Sequence, residues 1–204
     1  MLKFKKSGIL FPAILFMFLI AISSCGNTEN EHVSLPQPHI IDSAWYLNQG
    51  QQITQAAFDS LSQTLQKAIA EQGMVDAIVF CQINAYPITA SATTDEVVYI
   101  KRTALKYRNP ENAPTDLERQ ILNGYFKSFN RGEELQSRIL ASGDTIHFFR
   151  PIKLMPLCAN CHGPKENINP EVLSKINELY PNDKATGFAP GDLRGMWHVV
   201  GLSK

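Results

Sequence analysis

Cys158-Ala159-Asn160-Cys161-His162 is a C-x-x-C-H pentapeptide. Two thiols three positions apart can each add across one vinyl group of a haem and fix the porphyrin through thioether bonds. The histidine that follows is then placed to bind the iron. Other chemistries use the same residue types. Zinc needs about four nitrogen or sulfur ligands, and the chain has no second paired-ligand motif. A disulfide oxidoreductase wants the pair at a helix start within a thioredoxin-like pattern, which the flanking sequence lacks. A chance match has an expectation on the order of 10⁻³ to 10⁻² in a chain this long. The pentapeptide therefore predicts one covalent haem c, attached at Cys158 and Cys161, with His162 on its iron.

Covalent haem attachment takes place outside the cytoplasm, so an export signal is expected. Lys3, Lys5 and Lys6 precede an apolar run over 9–22, broken only by Pro12. The run is shorter than the roughly 20 residues that span a bilayer, and it reads as a signal-peptide core. Ile22-Ser23-Ser24-Cys25 resembles a bacterial lipobox, which makes residues 1–24 a lipoprotein signal peptide and Cys25 the lipidated first residue. The alternative is an ordinary signal peptide with Cys25 a bystander. Residues 25–41 are polar, with Pro36 and Pro38, and read as a flexible tether bearing surface histidines His32 and His39. Residues 42–204 suffice for a single domain. The expected location is the cell envelope, lipid-anchored on the periplasmic side, with the outer membrane favoured over the inner.

The whole chain has 19 basic and 19 acidic residues. Three lysines leave with the signal, so the mature chain has a net charge of −3. That balance gives no basic face for nucleic acid. The expected partners are the membrane, through Cys25, and a redox protein that the sequence does not identify.

The positioning elements follow from periodicity. Residues 51–72 carry Phe58, Leu61, Leu65, Ala68 and Ile69 on one helical face. Gly73 suits a helix end. A buried helix follows over 74–90, with Pro87 at its kink or end. Val97, Val98, Tyr99 and Ile100 favour a strand over 96–105, and 107–114 a loop. Thr115 and Glu118 make a capping-box pattern for a helix to about Asn130. Strands are expected over 137–141 and 145–153, joined across Ser142-Gly143-Asp144. A helix opens at Asn169-Pro170, a loop covers 181–195, and a last strand covers 196–202. The pattern predicts an α+β fold: an antiparallel sheet with helices packed on it and an N-terminal helical pair.

With Cys25, Cys158 and Cys161 assigned, Cys81 has no disulfide partner. It is either a buried small hydrophobe among Ile78, Val79 and Phe80 or a thiolate ligand of the iron. Met74, Met155, Met196, His147 and His198 are the other candidates for the far side of the haem. Arg102, Arg108, Arg150, Lys153 and Arg194 could meet its propionates. Arg150 and Arg194 are favoured, by position or by block.

Several blocks carry a family resemblance: Ala77-Ile78-Val79-Phe80-Cys81, Arg108-Asn109-Pro110-Glu111-Asn112-Ala113-Pro114, Phe149-Arg150-Pro151-Ile152, Cys161-His162-Gly163, Tyr180-Pro181-Asn182-Asp183-Lys184-Ala185-Thr186-Gly187 and Gly191-Asp192-Leu193-Arg194-Gly195. In this order they resemble a family of bacterial single-haem c-type cytochromes with a PAS-like fold. That family was long described as a domain of unknown function and is also the sensory module of some histidine kinases. The resemblance implies a PAS-like domain whose iron has His162 and Cys81 as axial ligands. Ile83-Asn84-Ala85-Tyr86 is bulkier than the family's small-residue run.

Two protein ligands leave the iron no open site, which favours one-electron transfer or redox sensing. A second possibility is sensing of a diatomic gas once Cys81 leaves. A third is a peroxidase-type enzyme, for which His147 is the only candidate distal group.

Overall fold

The computed structural model describes residues 42–93 and 97–202. The signal peptide, the Cys25 lipidation site and the 25–41 tether lie outside them. Asp42 caps the first helix, its carboxylate accepting from the Trp45 N–H at 3.0 Å. This helix, α1 (Ser43–Ala90), is one element of 48 residues where the sequence predicts a pair. Gly73 does break its geometry (φ 88°, ψ 171°), a backbone conformation open to glycine because it lacks Cβ. The helix resumes at once, because Met74, Val75 and Ile78 find apolar partners on a later helix. Pro87 ends nothing either: one more turn reaches Ala90, and the Ser91 N–H closes on the Pro87 carbonyl at 2.9 Å.

The remaining elements are β1 (Val97–Thr103), α2 (Asp116–Asn130), β2 (Arg138–Ser142), β3 (Thr145–Lys153), α3 (Ala159–His162), α4 (Pro170–Leu179) and β4 (Leu193–Leu202). Both halves of the capping box at Thr115 and Glu118 are formed. β4 begins three residues before its predicted start, because Leu193 already pairs with Lys153 and its side chain is buried. The strands form one antiparallel sheet in the order β1-β4-β3-β2, so the fold is α+β.

Strand alternation divides the core. Ile100, Phe148, Trp197 and Val199 pack with Ala57 of α1 on one face. Phe149, Leu193 and Met196 pack with Leu122 and Tyr125 of α2 on the other. A third cluster joins Ile78 of α1 to Ile168 and to Val172 and Ile176 of α4. It fixes the second limb of α1, which carries Cys81. Among the described residues no helix is long and apolar enough to cross a membrane.

Candidate functional site

A cleft opens on the α1 face of the sheet. Both limbs of α1, the end of β1, the start of β4 and residues 152–162 wall it. The apolar stripe of Phe58, Leu61, Leu65 and Ile69 lines it, as do Met74, Ala77 and Ile78. The sequence marks that stripe as core-facing; part of what it faces is this space.

Cys158, Cys161 and His162 all reach the cleft. Pro156–Cys158 makes one 3-10 turn and α3 follows directly. Cys158 and His162 therefore lie one helical turn apart, with Cys161 beside them. The Gly163 N–H closes the turn on the Ala159 carbonyl at 2.8 Å. A Cβ at Gly163 would sit 2.5 Å from that carbonyl oxygen, so the turn excludes any larger residue.

His162 Nδ1 lies 2.7 Å from the Ala185 carbonyl oxygen. A carbonyl only accepts, so Nδ1 carries the proton. Burial, and then the charges of Arg194 and Arg108, hold the imidazole pKa well below its ordinary value. The ring is therefore neutral with a lone pair on Nε2, the form that ligates a metal. The loop supplying Ala185 is itself tied down. Phe188 N–H donates to His162 O at 3.0 Å, and Gly187 N–H to Gly163 O at 2.8 Å. Asp183 accepts from the Ala185 N–H at 2.9 Å and pairs with Arg108 at 3.1 Å. Arg108 also donates to the Cys161 carbonyl at 2.6 Å. One largely buried ion pair thus holds both the imidazole's orienting loop and the thiol segment.

Cys81 enters from the second limb of α1 and lines the same cleft. Burial pushes its thiol pKa up, against the lowering charges of Arg102 and Arg108. Burial also pushes Cys161 up to about 11, with Arg108 opposing and Cys81 and Cys158 adding to the rise.

Arg194 lines the cleft. It donates to the Lys106 carbonyl at 2.8 Å and lies over the Phe188 ring. Burial, then Arg108 and Arg102, lower its pKa to about 10. Arg102, Arg108 and Lys153 line the cleft as well. Arg102 lies over Trp197 and donates to the Ala85 carbonyl at 3.3 Å, yet its Nε is buried without a partner among the described residues. Arg150 lies elsewhere: its guanidinium donates to Thr54 Oγ1 at 3.1 Å and Gln55 Oε1 at 2.9 Å, and it does not line the cleft.

Of the other candidates for the far side of the iron, Met74 and Met155 line the cleft. Met196 is buried in the core beneath α2. His147 and His198 stack with Phe149 on that same α2 face. The orienting carbonyl of Ala185 and the carboxylate of Asp183 escape a reading by residue type. Their only trace is the 180–187 block, which carries a resemblance without a role.

No curated protein matches the chain. Among solved structures it is similar to the cyanobacterial heme-protein Tll0287, at 27% identity over 79% of this chain and 94% of that one, with a TM-score of 0.49. The Tll0287-like family model matches residues 41–200, nearly all of the described chain, and the chain belongs to that family.

Proposed function

We propose that this protein is a lipid-anchored, periplasm-facing monohaem c-type cytochrome with a PAS-like domain, acting in one-electron transfer or redox sensing. Cys158 and Cys161 would hold the haem as thioethers, and His162 and Cys81 would bind its iron. The observation that carries the reading is the convergence on one cleft of the two motif thiols, a neutral imidazole with a free Nε2, and a third thiol from a separate helix.

The donor set fits the group. Apolar side chains of α1 offer a surface for a macrocycle, and sulfur and imidazole are established haem-iron donors. The charge balance also fits. The guanidinium groups of Arg102, Arg108 and Arg194 line the cleft, and among the described residues Asp183 forms its ion pair with Arg108. The buried, unpartnered Nε of Arg102 needs an acceptor. Two propionates would supply both the negative charge and the acceptors.

Bound there, the haem would supply a one-electron couple. The chain's own residues do the rest. The Ala185 carbonyl fixes the His162 tautomer and ring plane. The Arg102 and Arg108 charges favour a thiolate at Cys81 against the cost of burying it. Two protein ligands leave no position for substrate, which supports electron transfer over oxygen chemistry.

Absorption and electron paramagnetic resonance spectra of wild type and Cys81→Ala test the ligand set. The expected result is low-spin ferric haem with a thiolate signature that Cys81→Ala abolishes. Unchanged spectra in Cys81→Ala would remove Cys81 from the iron.

A further inference from the structure

Behind the cleft, on the α2 face of the sheet, a chain of polar groups has no part in haem binding. His147 Nδ1 lies 2.9 Å from His198 Nε2, and His198 Nδ1 lies 2.8 Å from Glu118 Oε1. Glu118 Oε2 accepts from Lys101 Nζ at 3.1 Å and from the Thr115 N–H at 2.8 Å. Lys101 Nζ also donates to the Ala113 carbonyl at 2.8 Å. Lys101, Glu118 and His198 are buried, and His147 is half-buried.

The protons in this chain can be counted. Thr145 Oγ1 has one proton and gives it to the Ser142 carbonyl at 2.7 Å. Toward His147 Nε2, 3.4 Å away, the hydroxyl offers only lone pairs. At the other end the Glu118 carboxylate also only accepts. Two acceptor ends and two rings are fully satisfied by three ring protons: one toward Glu118, one between the rings and one toward Thr145. Two neutral imidazoles carry two, so the chain is one proton short.

We propose that His147, His198 and Glu118 form a proton-binding site whose occupancy is coupled to the redox state of the cleft. The coupling rests on the cytochrome reading above. The geometry behind it is the register of β1 and β4. Lys101 pairs with His198, and the next pair along is Arg102 with Trp197. Alternation sends the first pair toward α2 and the second into the cleft wall. The proton site and the redox site are thus separated by one sheet.

The groups facing the site set its window. Glu118 attracts a proton, and Lys101 repels one. Tyr99 packs edge-on to His198 and stays neutral, its pKa pushed up to about 12 by burial and then by Glu118. Phe149 stacks on His198 and is apolar. Burial, and then His198, lower the His147 pKa, so the extra proton binds on the acid side of the ordinary histidine range. Reduction adds one electron in the cleft, from a one-electron donor such as dithionite. The lost positive charge favours uptake of one solvent proton at His147 Nε2, which then donates to Thr145 Oγ1. By reciprocity, protonation raises the reduction potential.

The test uses the mature haem-loaded chain. Its midpoint potential is measured spectroelectrochemically between about pH 5 and 8, for wild type, His147→Gln and Thr145→Val. The His147 ring is followed by ¹⁵N NMR in both redox states. In wild type the potential should fall as pH rises through the His147 titration, and reduction should raise its proton affinity on the order of three- to tenfold. His147→Gln should flatten the dependence, and Thr145→Val should move it to lower pH. A pH dependence unchanged in His147→Gln overturns the proposal. A chain with no reversible redox signal overturns the cytochrome reading and the coupling with it. In that chain, a His147 ring that still takes up one proton supports the proton site alone.

Discussion

The two faces of the sheet use polar residues in opposite ways. On the α2 face the polar groups are matched inside the protein. Glu118 takes hydrogen bonds from Lys101, His198 and the Thr115 backbone, and the Tyr125 hydroxyl lies 3.0 and 3.1 Å from the Gln136 and Phe149 carbonyls. On the α1 face, among the described residues, Arg102 keeps an unpartnered Nε, only Arg108 of the three cleft arginines pairs with a carboxylate, and His162 keeps Nε2 unbonded. Among the described residues the α2 face has room only for one more proton, whereas the α1 face lacks a partner group. Buried polar groups are normally satisfied, so unmet bonding capacity marks the site more sharply than residue type does.

That contrast has consequences of decreasing size. Lys101→Met leaves the Glu118 carboxylate short of its cation in the interior and should cost about 3–5 kcal/mol in denaturant unfolding. Arg102→Met, the neighbouring residue on the other face, should cost about 1 kcal/mol in the haem-free chain, because it forfeits one long hydrogen bond to the Ala85 carbonyl and removes an Nε that already lacks a partner. Equal losses for the two variants would break the comparison.

Acid titration probes the same asymmetry. Burial raises the Glu118 pKa, but hydrogen bonds from His198, Thr115 and Lys101 outweigh it and bring the carboxyl down to about 2. A folded pKa below the unfolded value means stability is fully present above the ordinary carboxylate pKa of about 4.5. It is lost as pH falls from there toward about 2, by on the order of 2–3 kcal/mol. Thermal melts across that range should show the decline, and Glu118→Gln should remove it.

Packing gives a smaller effect. A Cβ at Gly50 would collide with the Phe148 ring where α1 crosses the sheet. Gly50→Ala should cost about 1–3 kcal/mol in a urea melt. Tyr125→Phe forfeits one buried hydrogen bond and should cost about 1 kcal/mol, leaving haem loading unchanged.

The sequence discloses the site unevenly, for physical reasons. The thiols and His162 are readable because their chemistry is set by local spacing. The capping box at Thr115 is readable because capping is local too. Arg150 and Arg102 are indistinguishable by type, and which one reaches the cleft depends on which side of β4 its strand lies and what α1 places over it. Both pair with Trp197, from its two sides and on the same face of the sheet, but Arg102 lines the cleft whereas Arg150 meets the polar residues of α1. The N-terminal helix is misread for a related reason. Gly73 looks like a terminus locally, but tertiary contacts between the second limb and α4 carry the helix on. His147 and His198 look like stray strand histidines until three strands and α2 bring them onto Glu118.

The account depends on covalent haem, and intact mass measures that directly. The mature chain, expressed where cytochrome assembly machinery operates, should carry the mass of one haem under denaturing conditions. Replacing Cys158 and Cys161 together by alanine should abolish the increment. A wild-type chain that denatures to its bare polypeptide mass would contradict the account.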